Sequence, residues 1–121
     1  MTRRVVVVIE DDPDIAALMV EMLGELGHQF ETRADLADGN VELEPQLVIT
    51  DLVAIRSYDA QAAREWIARV RSVFPNAAII VSTAHAPAAE AGAAALGADA
   101  LLPKPFDIAV FTETVESLLD R

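Results

Sequence analysis

Short apolar runs alternate along this chain with longer stretches in which apolar residues recur every three or four positions. Residues 5–9 form a continuous Val/Ile run, which is typical of a β-strand covered on both faces of a parallel sheet. Further runs rich in β-branched or aliphatic residues predict strands at residues 29–33, 47–50, 78–83 and 100–102.

The stretches between these strands have the periodicity of amphipathic helices. In the first stretch, Asp12 suits an N-cap, Pro13 suits the first helical position, and Gly27 marks the end. Its apolar residues fall on one helix face: Ile15, Leu18, Met19, Met22, Leu23 and Leu26. Similar patterns predict helices at residues 62–74, 88–96 and 107–119. A Gly-Asn pair interrupts residues 35–44 and predicts a short or irregular helix there.

Five strands that alternate with about five helices predict an α/β fold built on a doubly wound, five-stranded parallel sheet. The length of 121 residues fits one domain, and we expect residues 1–121 to form it without an output domain. Hydrophobic residues make up 53% of the chain, which supplies a core without disulfides, and the chain has no cysteine.

The excess of acidic residues indicates which kinds of partner the protein binds. Nine Lys and Arg against twenty Asp and Glu give a formal net charge of −11, which disfavours direct contact with nucleic acid and favours cations or basic partners. The apolar run at 5–9 is too short for a signal peptide or a membrane span, and three acidic residues follow it. We therefore predict a cytoplasmic protein that does not contact membranes.

Polar residues follow four of the five predicted strands. Glu10, Asp11 and Asp12 come after the first strand and Asp51 after the third. Thr83 ends the fourth strand, and Lys104 follows the fifth. In a flavodoxin-like strand order, 2-1-3-4-5, the carboxyl ends of these four strands are neighbours, and sites in open α/β sheets form at such ends.

This group of side chains has the chemistry of phosphoryl transfer. Carboxylates a few Å apart disfavour one another's charge unless a cation lies between them. Oxygen ligands without His or Cys favour Mg²⁺ or Ca²⁺, and a sparse set that leaves room for water favours Mg²⁺. Asp51 is then a candidate nucleophile, while Thr83 and Lys104 supply a hydroxyl and an ammonium for phosphoryl oxygens.

The motifs resemble those of bacterial two-component response-regulator receiver domains along nearly the whole chain. The matching stretches are residues 8–13 (Val-Ile-Glu-Asp-Asp-Pro), 47–52 (Leu-Val-Ile-Thr-Asp-Leu), 80–84 (Ile-Val-Ser-Thr-Ala), 97–99 (Gly-Ala-Asp) and 102–106 (Leu-Pro-Lys-Pro-Phe). Each motif is weak by itself, whereas the set is specific because the order and spacing also match. The resemblance implies a CheY-like (βα)5 domain that signals by altered protein binding.

The same resemblance assigns roles to individual residues. Asp51 corresponds to the phosphoacceptor, Asp11 to the direct metal ligand and Glu10 to the acid that holds the metal through water. The backbone carbonyl of Val53 corresponds to a further Mg²⁺ ligand. Thr83 and Lys104 match the phosphate-binding pair, and the Lys104–Pro105 bond is cis in the family. The implied partners are a histidine kinase or histidine phosphotransfer protein and an unknown downstream protein.

Three positions depart from the pattern of the family. Ala54 and Ile55 occupy the places of a methionine and a proline after the phosphoacceptor. Leu101 replaces the aromatic residue whose ring swings as the threonine moves toward the phosphoryl group. We therefore expect the chemistry to be kept and the output surface to be altered.

Other interpretations use the same residues. The acidic cluster also suits a solvated helix cap, and a lone Asp51 also suits a loop. A pseudo-receiver, which binds partners without phosphorylation, fits Ile55 and Leu101. A haloacid-dehalogenase-like phosphatase fits poorly, because it has a second Asp two residues after its nucleophile, where this chain has Val53. We interpret Trp66 as partly buried packing.

Overall fold

The structure is a computed structural model, and it describes residues 5–33, 44–52 and 59–119. The strands are β1 (Val5–Ile9), β2 (Gln29–Arg33), β3 (Leu47–Thr50), β4 (Ala78–Thr83) and β5 (Ala100–Pro103). The helices are α1 (Pro13–Glu25), α2 (Ala60–Val73), α3 (Ala86–Ala91), α4 (Ala93–Leu96) and α5 (Ile108–Leu119).

The five strands form one sheet in the order β2-β1-β3-β4-β5, and every neighbouring pair is parallel. This confirms the predicted α/β class and strand order. Because each connection carries the chain back to the start of the next strand, all carboxyl ends lie along one edge of the sheet. The prediction of a single domain without an output domain concerns the ends of the chain and stays a prediction.

Successive residues of the central strands serve opposite faces of the sheet. On one face, Val7 and Ile9 of β1 join a buried cluster with residues of α2, α3 and α4. On the other face, Val6 and Val8 join a cluster with residues of α1 and α5. The continuous apolar run of β1 therefore reflects burial on both sides, as its sequence predicts.

The helix starts and stops follow local chemistry. The Asp12 side chain accepts hydrogen bonds from the backbone N–H groups of Asp14 and Ile15, which confirms the predicted N-cap of α1. Helix α2 begins at Ala60, two residues before the predicted start, because the Asp59 side chain caps it. None of the described helices is long and apolar enough to cross a membrane.

One helix prediction is wrong as a single element. Residues 88–96 do not form one helix, because α3 ends at Ala91 and α4 starts at Ala93. Gly92 between them has φ of +86°, which a continuous right-handed helix does not allow and which glycine adopts at low cost. Most of the predicted irregular helix at 35–44 lies outside the described residues, since only Glu44 is described.

Candidate functional site

The strand register brings the candidate residues to one edge of the sheet. Ile9 of β1 pairs with Thr50 of β3, so Glu10 and Asp51, the next residues along, leave the sheet side by side. Thr83 of β4 lies opposite Pro103 of β5, immediately before Lys104. The four strand ends that the sequence singled out therefore meet at one place.

Lys104 joins the two strand-end carboxylates. Its Nζ donates a 2.5 Å hydrogen bond to Oε1 of Glu10 and lies 3.5 Å from Oδ2 of Asp51. The side chains of Glu10, Lys104 and Asp51 are 1%, 11% and 18% exposed. One ammonium thus serves two carboxylates away from bulk water, and Asp51 is the more accessible of the two.

The acidic residues form a group that suits a divalent cation. Carboxylate oxygens of Glu10, Asp11 and Asp51 all lie within 4.8 Å of one another. Together they carry up to three negative charges against the single positive charge of Lys104, and all three are hard oxygen donors. The donor set therefore fits Mg²⁺. The predicted fourth ligand, the carbonyl of Val53, lies outside the described residues.

The environment of Glu10 opposes its charge. Burial raises the pKa of Glu10 from 4.5 to about 7, and the nearby Asp51 carboxylate contributes in the same direction. The hydrogen bonds from Lys104 and from the backbone N–H of Asp12 lower the pKa without cancelling the effect of burial. Near neutral pH, the Lys104 ammonium alone therefore does not keep the Glu10 carboxyl fully ionised.

This shift predicts how the stability of the metal-free protein depends on pH. Between pH 4.5 and about 7 the folded state holds a proton on Glu10 that the unfolded chain has released. The free energy of unfolding should therefore fall as pH rises through this interval, by about 3 kcal/mol in total at about 1.4 kcal/mol per pKa unit. Below pH 4.5 the contribution is constant.

Urea unfolding with a chelator at several pH values tests this expectation. Glu10→Gln should lose most of the slope, whereas Glu21→Gln, at an exposed position of α1, should keep it. Parallel pH profiles for the wild type and Glu10→Gln would show that the buried carboxyl is not the source.

Thr83 is held at the carboxyl end of β4. It is fully buried, and its Oγ1 accepts a 3.0 Å hydrogen bond from the backbone N–H of His85. Its carbonyl accepts a hydrogen bond from the backbone N–H of Lys104 at 2.8 Å, so the two residues are linked across the strand ends. Among the described residues the Thr83 hydroxyl donates no hydrogen bond, so its hydrogen suits a further acceptor. The cis bond between Lys104 and Pro105 is present, as the resemblance implied.

Thr50 and Leu52 form hydrogen bonds to Asp51, and Trp66 forms one to Thr50. The buried Trp66 of α2 donates from Nε1 to Oγ1 of Thr50 at 2.9 Å, and Thr50 donates to the carbonyl of Asp51 at 2.7 Å. The backbone N–H of Leu52 donates to Oδ1 of Asp51 at 2.8 Å. The sequence interpretation of Trp66 as packing omitted this link. The usable signal was a hydroxyl residue in an apolar strand together with an indole, whose N–H needs an acceptor when buried.

An apolar depression adjoins the site. Its volume is about 300 Å³, and its lining residues are Ile15, Leu18, Ala84, Lys104, Pro105 and Phe106. Leu18 is 43% exposed, so part of this lining is also an open apolar surface. Lys104 thus pairs with the acidic residues and also lines the apolar depression.

A comparison with curated proteins found a relative of this chain. The chain is 30% identical over 128 residues to the DNA-binding transcriptional regulator NtrC of Azospirillum brasilense. The match covers 99% of this chain and 25% of that protein, so the chain spans about a quarter of the length of this relative. No protein-family model matches the chain.

Solved structures share the fold over nearly the whole chain. The chemotaxis response regulator CheY4 of Vibrio cholerae superposes with a TM-score of 0.72 at 22% identity, over 97% of this chain and 99% of that one. The beryllofluoride-activated receiver domain of DrrB from Thermotoga maritima gives 0.73 at 20% identity, over 99% of this chain and all of that one. At these identities the likeness shows the fold, and it confirms the resemblance at that level.

Proposed function

We propose that this chain, which has the fold of response-regulator receiver domains, accepts a phosphoryl group on Asp51 from a phosphorylated histidine. The observation that carries the proposal is the position of the Lys104 ammonium between Glu10 and Asp51, beside three converging carboxylates. A solvated helix cap does not require a buried lysine at this place. A phosphoryl-transfer site does, because negative charge must be matched on the incoming group.

The side chains have complementary parts in this reaction. Oδ2 of Asp51 attacks the phosphorus, a bond from oxygen to phosphorus forms, and the bond from phosphorus to the donor nitrogen breaks with its electrons staying on the imidazole. Lys104 then pairs with a phosphoryl oxygen in place of one carboxylate, and the Thr83 hydroxyl donates to another. Both residues lie at the carboxyl edge of the sheet, where β4 and β5 end.

The acidic group supplies the metal-binding part. In this proposal Asp11 and Asp51 would ligate Mg²⁺ directly and Glu10 would hold it through water, which the mutual proximity of their carboxylate oxygens, within 4.8 Å, supports. When bound, Mg²⁺ neutralises charge on the phosphoryl oxygens. The reaction is a single transfer that the domain assists, so we expect no turnover of an external substrate beyond its own phosphorylation and dephosphorylation.

The apolar depression supports a protein as donor. A donor protein that delivers a phosphohistidine to Asp51 would have an apolar surface beside the site to contact, which includes Leu18, Pro105 and Phe106. Such a surface binds the apolar side chains of a partner helix, whereas a small phosphate ester has no comparable apolar surface to bury against it. A histidine kinase or histidine phosphotransfer protein fits this description, and transfer from a panel of phosphorylated histidine kinases tests it.

Uptake from a small donor tests the core of the proposal. Incubation with acetyl phosphate and Mg²⁺ should add one phosphoryl group in intact-mass spectrometry, and hydroxylamine should remove it, as it does from acyl phosphates. A chelator should prevent the addition. The pseudo-receiver hypothesis predicts an unchanged mass under all these conditions, so an unmodified protein at saturating Mg²⁺ would favour that alternative.

A further inference from the structure

A continuous chain of hydrogen bonds runs from helix α2 to the phosphoacceptor. The indole N–H of Trp66 donates to the Thr50 hydroxyl at 2.9 Å, and that hydroxyl donates to the Asp51 carbonyl at 2.7 Å. The carbonyl belongs to the peptide unit between Asp51 and Leu52. The N–H of the same unit donates to Oδ1 of Asp51 at 2.8 Å.

The peptide unit is therefore held from both ends. Thr50 fixes the direction of its carbonyl, and because the unit is planar, this also fixes the direction of its N–H. The N–H occupies Oδ1 of Asp51, while Oδ2 faces the Lys104 ammonium at 3.5 Å. The two carboxylate oxygens thus have different partners, and only Oδ2 is turned toward the group that pairs with a phosphoryl oxygen.

Burial strengthens the hydrogen bonds that connect Trp66 to Asp51. Thr50 is 0% exposed and Trp66 is 7% exposed, so water does not compete for either group. The Thr50 hydroxyl accepts from the Trp66 indole and donates to the Asp51 carbonyl, and in such a series each hydrogen bond polarises the next. Loss of the Trp66 donor would leave the Thr50 hydroxyl without the group that orients its lone pairs, although the packing around it could remain.

We propose that Trp66 and Thr50 are positioning residues that orient the Asp51 carboxylate so that Oδ2 receives the phosphoryl group. The kinetic part of this inference rests on the proposed function, whereas the orienting contacts do not. The same chain reports the state of Asp51 to α2. A phosphoryl group or a metal withdraws charge from the carboxylate and so weakens the hydrogen bond that Oδ1 accepts from the Leu52 N–H. The polarisation of the connected hydrogen bonds then falls, up to the one that the Trp66 indole donates.

The far end of the chain lies near the surface of α2. The guanidinium carbon of the exposed Arg69 lies 5.4 Å from the centre of the Trp66 ring. This contact connects the buried chain to a solvent-facing side chain of the same helix. Helix α2 is thereby coupled to Asp51 without any use of Leu101, the position at which the aromatic residue of the family is missing.

Kinetics of isosteric variants test the positioning role. Thr50→Val keeps the shape and removes the hydroxyl, and it should slow uptake from acetyl phosphate at saturating Mg²⁺ by about fivefold, the effect of one hydrogen bond. Thr50→Ser should restore the rate. Ser82→Ala is the matched control, because Ser82 is a fully buried hydroxyl on the neighbouring strand β4 and has no hydrogen-bond partner in the described part of the chain.

The single tryptophan makes the chain directly observable. The indole N–H gives one cross-peak in a nitrogen–proton NMR spectrum, and beryllofluoride with Mg²⁺ should shift it in the wild type and not in Thr50→Val. A double-mutant comparison needs no phosphorylation at all. Asp51→Asn should shift the indole peak when Thr50 is present and leave it in place in the Thr50→Val background.

The outcomes separate this inference from the proposed function. If the wild type takes up no phosphoryl group but Asp51→Asn shifts the indole peak only when Thr50 is present, the function fails and the orienting chain stands. The inference is overturned if the wild type is phosphorylated and Thr50→Val reacts at the wild-type rate. It is also overturned if Asp51→Asn leaves the indole peak unshifted in the presence of Thr50. Trp66→Phe serves as a second variant, and a rate as high as that of the wild type would likewise contradict the positioning role.

Discussion

Lys104→Met is expected to slow the uptake of a phosphoryl group from acetyl phosphate by about a hundredfold, the usual effect of removing a fixed donor from a site where charge develops. The Lys104 ammonium lies 2.5 Å from Glu10 and 3.5 Å from Asp51, and it is mostly buried. Methionine retains much of the volume of the side chain and provides no charge. The incoming phosphoryl oxygens then meet carboxylates with no protein cation between them.

Lys104→Arg separates charge from position in the same experiment. It keeps the positive charge, but its planar guanidinium does not reproduce the compact ammonium that Glu10 accepts from, so we expect only partial activity. The rates are measured by intact-mass spectrometry at saturating Mg²⁺, with melting curves as a check on folding. A folded Lys104→Met protein that reacts at the wild-type rate would remove Lys104 from the proposed reaction.

The second large effect concerns the metal. Mg²⁺ that binds the folded protein and not the unfolded chain stabilises it by about 2.7 kcal/mol at a hundred times its dissociation constant. Asp11→Asn should abolish most of this stabilisation, because Asp11 contributes one of three converging carboxylates and is the exposed one. The same substitution should raise the stability of the metal-free protein by relieving repulsion with Glu10 and Asp51.

Thermal melts of both proteins with and without Mg²⁺ measure both effects. Glu21→Gln, which also removes one exposed acidic charge from the chain, is the control and should show the wild-type Mg²⁺ shift. Equal metal-induced shifts in the wild type and Asp11→Asn would contradict the proposed metal site. A nonspecific effect of ionic strength would appear in all three proteins alike.

Much of the fold was predictable because burial on two faces leaves a strong pattern. The apolar run of β1 predicts a central strand. The polar residues that follow it, Glu10 and Asp11, predict the edge of the sheet at which the strand ends. The convergence of Asp51 and Lys104 followed from a single inference, the strand order, since carboxyl ends of parallel strands share one edge. The approach of Lys104 to both carboxylates needed the structure, because a side-chain direction is not visible in spacing.

The structure departs from the prediction at positions where the conformation of a single residue determines where a helix ends or which hydrogen bond forms. Gly92 splits the predicted fourth helix, and an alanine-rich periodicity cannot reveal that a glycine within it takes a positive φ. Trp66 lies beside an apolar stripe, so its periodicity indicates packing alone, whereas its function in the site depends on where its N–H points. Helix period and polarity describe faces, and they do not describe single hydrogen bonds.

The most direct measurement locates the phosphoryl group. After reaction with acetyl phosphate and Mg²⁺, reduction with labelled borohydride converts an aspartyl phosphate into homoserine, and tandem mass spectrometry of the peptides identifies the residue that was modified. We expect the label at Asp51 alone and no label in Asp51→Asn. A label at Asp11 or elsewhere, or an equal label in Asp51→Asn, would contradict the assignment of Asp51 as the phosphoacceptor.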